Sequence, residues 1–141
     1  MIARWLATSA SAVVLAATVA TNPATAHADT APVNTWTVTH QTAVAAGESW
    51  WENPTHSSTL ALEGTLSNSS DACYSLWTRG SRDSQPFPPN IGTKRAEICG
   101  SGDVDVSIRQ ATLPNTWWQI TVCSGTLNMD DCAQWRDIDL N

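Results

Sequence analysis

The chain has 141 residues, a formal net charge of −6 and eight tryptophans. A chain of this length holds one domain with a modest hydrophobic core. The acidic balance and the lack of any run of basic residues argue against nucleic acid as a partner, because a negative surface repels a phosphate backbone.

The start of the chain has the pattern of an export signal. A short basic segment, 1–4, precedes an apolar stretch, 5–20, and the A-x-A cleavage pattern Ala26-His27-Ala28. We predict a signal peptide over 1–28 and one secreted domain over 29–141; subtracting the leader of 28 from 141 leaves 113 residues. The mature part has no apolar run of the ~18 residues that a bilayer span needs. We therefore expect an extracellular protein without membrane association.

Seven β-rich segments follow a short polar tail at 29–34. Most alternate apolar and polar residues, and clusters of Gly, Pro, Asn, Asp and Ser separate them. The predicted strands are 35–44, 59–66, 73–79, 93–99, 104–110, 118–123 and 133–140, and the proline-rich stretch 81–90 is predicted to be a loop between sheets. No sustained helical period interrupts this pattern. We predict an all-β fold, an antiparallel sandwich of the immunoglobulin-like type with about seven strands.

The alternation also selects a predicted core. One face of each strand carries the aliphatic side chains, which we expect to pack between the two sheets. The predicted core residues are Val38, Leu60, Leu62, Leu76, Ile98, Val104, Val106, Ile108, Ile120, Val122 and Ile138.

Four cysteines lie in the mature chain, where an oxidising compartment favours disulfides. They allow three pairings. Cys123 and Cys132 flank a short connection between two strands, which favours the pairs Cys123–Cys132 and Cys73–Cys99. Chain entropy assigns these loops about 2.7 and about 3.5 kcal/mol of stabilisation. The alternation predicts that Cys99 and Cys123 point away from the core, and the absence of Cys-x-x-Cys disfavours zinc.

The sequence offers little for catalysis. The mature chain has two histidines, His40 in a predicted strand and His56 in a predicted turn, and it has no Gly-x-Ser-x-Gly elbow. A nucleophile needs a base beside it, and nothing in the pattern brings one to a serine. We therefore expect both histidines to be ordinary polar residues and the protein not to be an enzyme.

Three pairs of nearby carboxylates are candidates for a metal or acid–base site. On a strand, two such residues separated by one position share the solvated face, where charge protects sheet edges from pairing. None of the pairs sits in a loop with the length and ligand spacing of a calcium site. We expect neither a metal nor a cofactor. The pairs are Asp103 with Asp105, Asp130 with Asp131 and Asp137 with Asp139.

Tryptophan is unusually frequent in this sequence. Adjacent residues of a strand face opposite sides, so an inward Trp118 places Trp117 in solvent. Trp50 and Trp51 follow Gly47, and we predict that a loop displays one of their rings. Exposed indoles suit stacking on sugar rings or capture of a protein, whereas structural packing is the alternative use of the same residues.

The connection 124–131 is a second candidate binding site. Cys123 and Cys132 would close it, and Leu127 and Met129 would be apolar anchors at its tip. A loop ordered in advance loses less entropy when it binds. This arrangement is typical of a protein-interaction or inhibitor loop.

Several short motifs carry a resemblance to a known group of proteins. They are LEGTL at 62–66, CYSLW at 73–77, ICG at 98–100, TVCSGT at 121–126 and DCAQWR at 131–136. Together they resemble uncharacterised small secreted proteins of actinobacteria over about half of the chain. The resemblance implies a small β fold with two disulfides and assigns no site residues. The secreted subtilisin-inhibitor and enediyne-apoprotein types are alternatives by analogy of size and disulfide number.

These observations together predict a secreted, monomeric, non-enzymatic β domain that binds an unknown extracellular protein or polysaccharide. Two more specific alternatives remain. One is a carbohydrate-binding module that uses exposed tryptophan, and the other is an inhibitor of a secreted hydrolase.

Overall fold

A computed structural model describes residues 32–52, 58–82, 91–113 and 115–138, and their regular structure is entirely β. The described part contains no helix long and apolar enough to cross a membrane. The strands are β1 (Asn34–His40), β2 (Ala43–Glu52), β3 (Thr59–Asn68), β4 (Cys73–Arg82), β5 (Thr93–Cys99), β6 (Gly102–Ala111), β7 (Thr116–Ser124) and β8 (Arg136–Asp137). The predicted leader, 1–28, lies outside the described residues.

The strands form two four-stranded antiparallel sheets. Sheet A has the order β1-β2-β3-β6, and sheet B has the order β5-β4-β7-β8. The chain crosses from one sheet to the other after β3, β5 and β6. The predicted antiparallel sandwich is confirmed, and the described residues form eight strands in place of about seven.

The core lies between the inner faces of the sheets. Ten of the eleven predicted core residues are buried, and Val104 is half-buried against them. The core also includes five residues that the sequence analysis did not select, and they are Trp36, Ala43, Ala45, Leu66 and Tyr74. Two of these are small alanines, whose burial depends on which strand lies opposite rather than on their own hydrophobicity.

The predicted strand 35–44 is wrong, because the structure breaks it into a hairpin. β1 ends at His40 and β2 begins at Ala43, so Gln41 and Thr42 form a two-residue turn. Gln41 has a φ of 51°, in the left-handed region where turns usually place Gly or Asn. The sequence therefore lacks the customary turn signal, and its alternation runs on through the bend.

The predicted strand at 133–140 is also longer than the observed one. Among the described residues 133–138, only Arg136 and Asp137 pair with β7 as a strand. Nearer the disulfide, Ala133 N donates to Val122 O at 2.9 Å, so this stretch follows the edge of β7 without forming a ladder. Residues 139–141 lie outside the described part.

Both predicted disulfides are confirmed. Cys73–Cys99 joins β4 to β5 with 4.0 Å between Cα atoms, and Cys123–Cys132 joins β7 to the segment before β8 with 3.9 Å between them. Cys99 is exposed, and Cys123 points away from the inter-sheet core, as expected for both. Cys123 is nevertheless fully buried.

A covering segment explains the burial of Cys123. Residues 125–133 cross the outer face of sheet B and are anchored there by buried hydroxyls. Ser75 Oγ donates to Gly125 O at 2.7 Å, and Thr121 Oγ1 donates to Ala133 O at 2.9 Å. At this position the outward-facing side chains of β7 are therefore also buried, because the covering segment lies over them.

Both disulfides lie at the same end of the sandwich, which we call the bridged end. There Gly125 N donates to Cys73 O at 2.7 Å, so the two cross-linked regions also contact each other. At the opposite end, called the open end, β4 and β6 finish and β7 begins.

Asn68 is the hub of the bridged end. Its side-chain amide nitrogen lies 2.8–2.9 Å from the carbonyl oxygens of Ser70, Ala72 and Gly100. Its side-chain oxygen accepts from Thr42 Oγ1 at 2.9 Å. One residue, 5% exposed, thus connects the β1–β2 turn, the β3–β4 connection and the β5–β6 turn.

We expect Asn68→Ala to lower the free energy of unfolding by about 1–3 kcal/mol, because buried carbonyls lose their donor. Urea denaturation of the oxidised protein measures this. The matched control is Asn128→Ala, which removes an exposed amide and should change stability by less than about 0.5 kcal/mol. Equal effects of the two substitutions would contradict the role of Asn68.

Candidate functional site

A serine, a histidine and an aspartate meet at the bridged end, although they are far apart in the sequence. His40 ends β1, Ser124 ends β7, and Asp131 precedes Cys132. His40 Nε2 lies 3.1 Å from Ser124 Oγ and 3.4 Å from Asp131 Oδ1. Ser124 Oγ donates to Asp131 Oδ2 at 2.8 Å.

The order of these contacts differs from that of a catalytic triad. In a triad the serine hydroxyl meets one ring nitrogen of the histidine, and the carboxylate holds the other nitrogen. Here the same nitrogen of His40 faces both partners, and Ser124 gives its hydrogen bond to Asp131. The arrangement does not direct the serine proton to the imidazole, which an activated nucleophile requires. The other mature histidine, His56, lies outside the described residues.

Gln41 extends this cluster into a network between the sheets. Its side-chain nitrogen donates to Ser124 Oγ at 3.2 Å and to Asp131 Oδ2 at 3.0 Å. Its side-chain oxygen accepts from the hydroxyl of Tyr74 at 3.2 Å, and Tyr74 is only 2% exposed. The network connects the β1–β2 turn of sheet A to β4 and β7 of sheet B, and it holds Gln41 in its uncommon backbone conformation.

The hydrogen bond from Ser124 lowers the pKa of the Asp131 carboxyl below its ordinary value. His40 and Gln41 act in the same direction, while partial desolvation opposes them. The carboxylate form is therefore the one that the network favours.

The described residues contain no group of three His, Cys, Asp or Glu side chains placed to hold a metal ion. Asp103 and Asp105 lie exposed on β6, and Asp130 and Asp131 lie exposed in the covering segment. Asp139 is outside the described part.

The Trp50–Trp51 pair lies in β2, so the prediction that a loop displays it is wrong. The segment 45–49 has little β propensity of its own, but β1 and β3 pair with it on both sides. Trp51 packs against the core. The Trp50 ring lies under the Arg109 guanidinium, 5.1 Å from its centroid, and Arg109 is also paired with Glu52 and Glu63.

Trp117 is the large side chain that β7 leaves in solvent. It is 67% exposed, whereas its neighbour Trp118 packs against the core. This is the alternation expected from the sequence. On the same outer face of sheet B lie four further residues that surround or align with it. We call this surface the tryptophan face, and it comprises Arg79, Trp117, Gln119, Trp135 and Asp137.

A row of hydrogen bonds crosses the tryptophan face. Arg79 pairs with Gln119, and Gln119 pairs with Asp137, in the register of β4, β7 and β8. Arg79 Nε and Nη2 donate to Gln119 Oε1 at 2.8 and 2.6 Å, and Gln119 Nε2 donates to Asp137 Oδ1 at 2.7 Å. The row is fixed in place before any ligand arrives.

Trp135 packs against the arginine at one end of this row. Its ring centroid lies 4.0 Å from the Arg79 guanidinium carbon, a cation–π contact. Burial lowers the pKa of Arg79 and the charge of Asp137 opposes that change, but an arginine remains protonated at neutral pH. The face thus combines a fixed positive group, a fixed negative group and two indoles.

The two predicted anchors of the connection 124–131 have different surroundings. Leu127 is 91% exposed. Met129 is half-buried, and its sulfur packs so closely against Gly92 that a Cβ there would lie 2.9 Å away. Met129 therefore holds the covering segment down, and Leu127 is the predicted anchor that projects from it.

Alternation in the sequence predicts the exposure of Trp117, but no local pattern predicts the polar row beside it or the cluster around Ser124. Alternation along β7 placed Gln119 on the side of Trp117, and that signal was present. The addition of Arg79, Trp135 and Asp137 depends on the register between three strands, which a single sequence does not display.

Comparison with known proteins gives no match, either to a protein-family model, to a curated protein or to a solved structure.

We expect Ser124→Ala to raise the pKa of Asp131 towards its ordinary value of about 3.9, because the largest cause of the lowering is removed. A depressed folded-state pKa contributes stability above the unfolded-state value and loses it as pH falls through the folded-state value. The free energy of unfolding of the wild type should therefore fall more steeply as the pH drops below about 4. In Asp131→Asn this fall should be shallower.

NMR titration of the Asp131 carboxyl carbon measures the shift. Thr126→Ala is the control, since it removes a hydroxyl from the same segment that is not a partner of Asp131. An unchanged Asp131 titration in Ser124→Ala would show that the hydrogen bond does not set this pKa.

Proposed function

We propose that this protein is a secreted, non-enzymatic domain that binds a neutral extracellular polysaccharide on the tryptophan face. The observation that carries the proposal is the 67% exposed indole of Trp117 beside the hydrogen-bonded row of Arg79, Gln119 and Asp137. A single exposed apolar side chain is ordinary. An exposed indole aligned with fixed donors and acceptors is what distinguishes this surface.

The chemistry of a sugar ring fits this combination. A pyranose has an apolar face of C–H groups, which can lie flat on an indole, and a rim of hydroxyls. Hydroxyls make their strongest hydrogen bonds with charged partners, and the face supplies a guanidinium and a carboxylate. Because these two charges balance each other, the surface favours a neutral polysaccharide over an anionic one.

Secretion is part of the proposal. Two disulfides are consistent with an extracellular protein, and the pattern of 1–28 supports export. In this proposal the mature domain acts as a monomer in solution, with the tryptophan face open to its ligand and without membrane association.

A second candidate is inhibition of a secreted hydrolase by the covering segment. The 91% exposure of Leu127 on a disulfide-closed connection favours it. Because Met129 is held against Gly92, one apolar anchor remains. We favour the tryptophan face, which offers several ligand-binding groups on one surface.

We expect Trp117→Ala to weaken polysaccharide binding more than tenfold, since a central aromatic contact commonly contributes about 2 kcal/mol or more. Trp117→Phe should retain part of the affinity because a smaller ring still stacks. Depletion by insoluble cellulose and chitin, and affinity electrophoresis in xylan, measure binding.

Leu127→Ala is the matched control, as it also truncates an exposed apolar side chain and should leave sugar binding unchanged. Failure of the wild type to bind any of the three polysaccharides, or equal binding by Trp117→Ala, would refute the sugar site. Inhibition of a subtilisin-type protease that Leu127→Ala abolishes would support the second candidate instead.

We also expect the mature protein to show no turnover of esterase, glycosidase or protease substrates, because Ser124 donates to Asp131 rather than to His40. Ser124→Ala should lower the free energy of unfolding by about 1 kcal/mol through the lost hydrogen bonds. Substrate turnover in the wild type that disappears in both Ser124→Ala and His40→Ala would overturn the non-enzymatic assignment.

A further inference from the structure

A cleft opens between the two sheets at the open end of the sandwich. Its volume is about 450 Å³, within the roughly 300–1,000 Å³ of small-molecule sites. Thr78 and Trp118 line it from β4 and β7, on the side of those strands opposite to the tryptophan face. The cleft and the tryptophan face share these two strands, and they adjoin at Arg79, which also borders the cleft.

A β-bulge directs Arg95 into this cleft. Leu76 pairs with Ala96, but the next residue, Trp77, pairs with Lys94, so Arg95 is an extra residue of β5 without a partner on β4. Ala96 packs against the core, and Arg95 also turns inward, because its Nε donates to Thr78 Oγ1 at 2.7 Å. Bulges of this kind re-aim side chains and are common beside functional sites.

Arg95 carries its charge into the cleft, where its hydrogen-bond partners among the described residues are neutral. Thr78 is 1% exposed, so the guanidinium reaches the inner end of the cavity. Its second contact is Nη2 to Gln110 Oε1 at 3.0 Å, again a neutral acceptor. Arg95 makes no ion pair with any residue that the structure describes.

The cleft is basic although the protein is acidic, with a net charge of −6. Arg79 and Arg82 are further arginines of the lining, and the described lining contains no Asp or Glu. A partly buried charge without a counter-ion is unfavourable. In agreement, burial lowers the pKa of Arg95. An anionic ligand would supply the missing charge.

One wall of the cleft is apolar. The Trp118 ring lies flat across Gly80, where a Cβ would be 3.2 Å from three ring carbons. The indole N–H is occupied, since it donates to Thr112 Oγ1 at 2.9 Å. At the rim, Ile91 and Leu113 are 60% and 57% exposed. A ligand here would meet a carbon surface as well as positive charge.

We propose that this cleft binds a small organic monocarboxylate with an apolar body. Arg95 and Arg82 hold the carboxylate, and the guanidinium of Arg95 is already oriented by its two neutral partners. The apolar body lies on Trp118 and reaches the rim at Ile91 and Leu113. A bare inorganic anion would leave this wall uncovered.

Benzoate is a suitable probe, and benzamide is its neutral counterpart of the same shape. We expect benzoate to shift the Trp118 indole N–H signal in a saturable NMR titration of the mature protein, with the signal assigned by Trp118→Phe. The affinity for benzamide should be lower by about tenfold or more, since benzamide lacks the charge that the arginines pair with. Inorganic phosphate should also bind more weakly than benzoate.

Two arginine variants test the charged wall. Arg95→Gln should abolish benzoate binding, and Arg82→Gln, at an exposed position, should weaken it several-fold with the fold retained. Arg136→Gln on β8 is the matched control and should leave binding unchanged. Trp117→Ala should leave it unchanged too, which separates this cleft from the polysaccharide site.

Equal binding of benzoate and benzamide would overturn the proposal, as would benzoate binding that survives Arg82→Gln undiminished. Phosphate binding as tight as that of benzoate would refute the proposed contribution of the apolar wall to ligand binding. Absence of saturable benzoate binding would refute the site altogether. If Arg95→Gln does not fold, Arg82→Gln and the benzamide comparison decide the outcome.

Discussion

Both disulfides join parts of sheet B, and both lie at the same end of it. Antibody-type sandwiches place a disulfide between the sheets, whereas no cross-link connects sheet A to sheet B here. The sheets are joined by the buried apolar core and, at the bridged end, by the polar networks around Asn68 and Gln41. Inter-sheet packing is therefore the constraint on which the position of every surface residue depends.

This arrangement gives the molecule two unlike ends. The bridged end has both disulfides, and Asn68, Tyr74 and Ser124 connect its turns by side-chain hydrogen bonds. The open end has the cleft and Trp117. Ligand-binding groups on a small domain need a rigid support to keep their geometry, and the cross-linked end supplies one.

The two proposed sites are placed by alternation on the same pair of strands. Arg79 and Trp117 face outwards to the tryptophan face, and Thr78 and Trp118, one position away on the same strands, face inwards to the cleft. A change of register between β4 and β7 would move residues between the two sites. The ladder from Tyr74–Ser124 to Arg82–Thr116 is continuous, which keeps both surfaces defined.

Sequence patterns predicted the parts of this structure that depend on neighbours along the chain. Alternation along the predicted strands selected ten of the fifteen buried core residues, and cysteine spacing predicted the two disulfide pairs. The features that these patterns did not predict arise where distant strands decide the outcome. Cys123 is buried because residues 125–133 cover it, and Arg95 turns inward because β5 contains one residue more than its partner. Neither effect has a signature in the local sequence.

The connectivity of the cross-links has a consequence for the order in which they form. Cys73 and Cys99 both precede Cys123 in the sequence, and Cys123 and Cys132 are 9 residues apart, so the two disulfide loops do not interlace. A polypeptide oxidised as it emerges from its N-terminal side meets each native partner before any wrong one. Vectorial oxidation would then yield the native pairs without a disulfide isomerase, whereas oxidation of the complete reduced chain has all three pairings open to it.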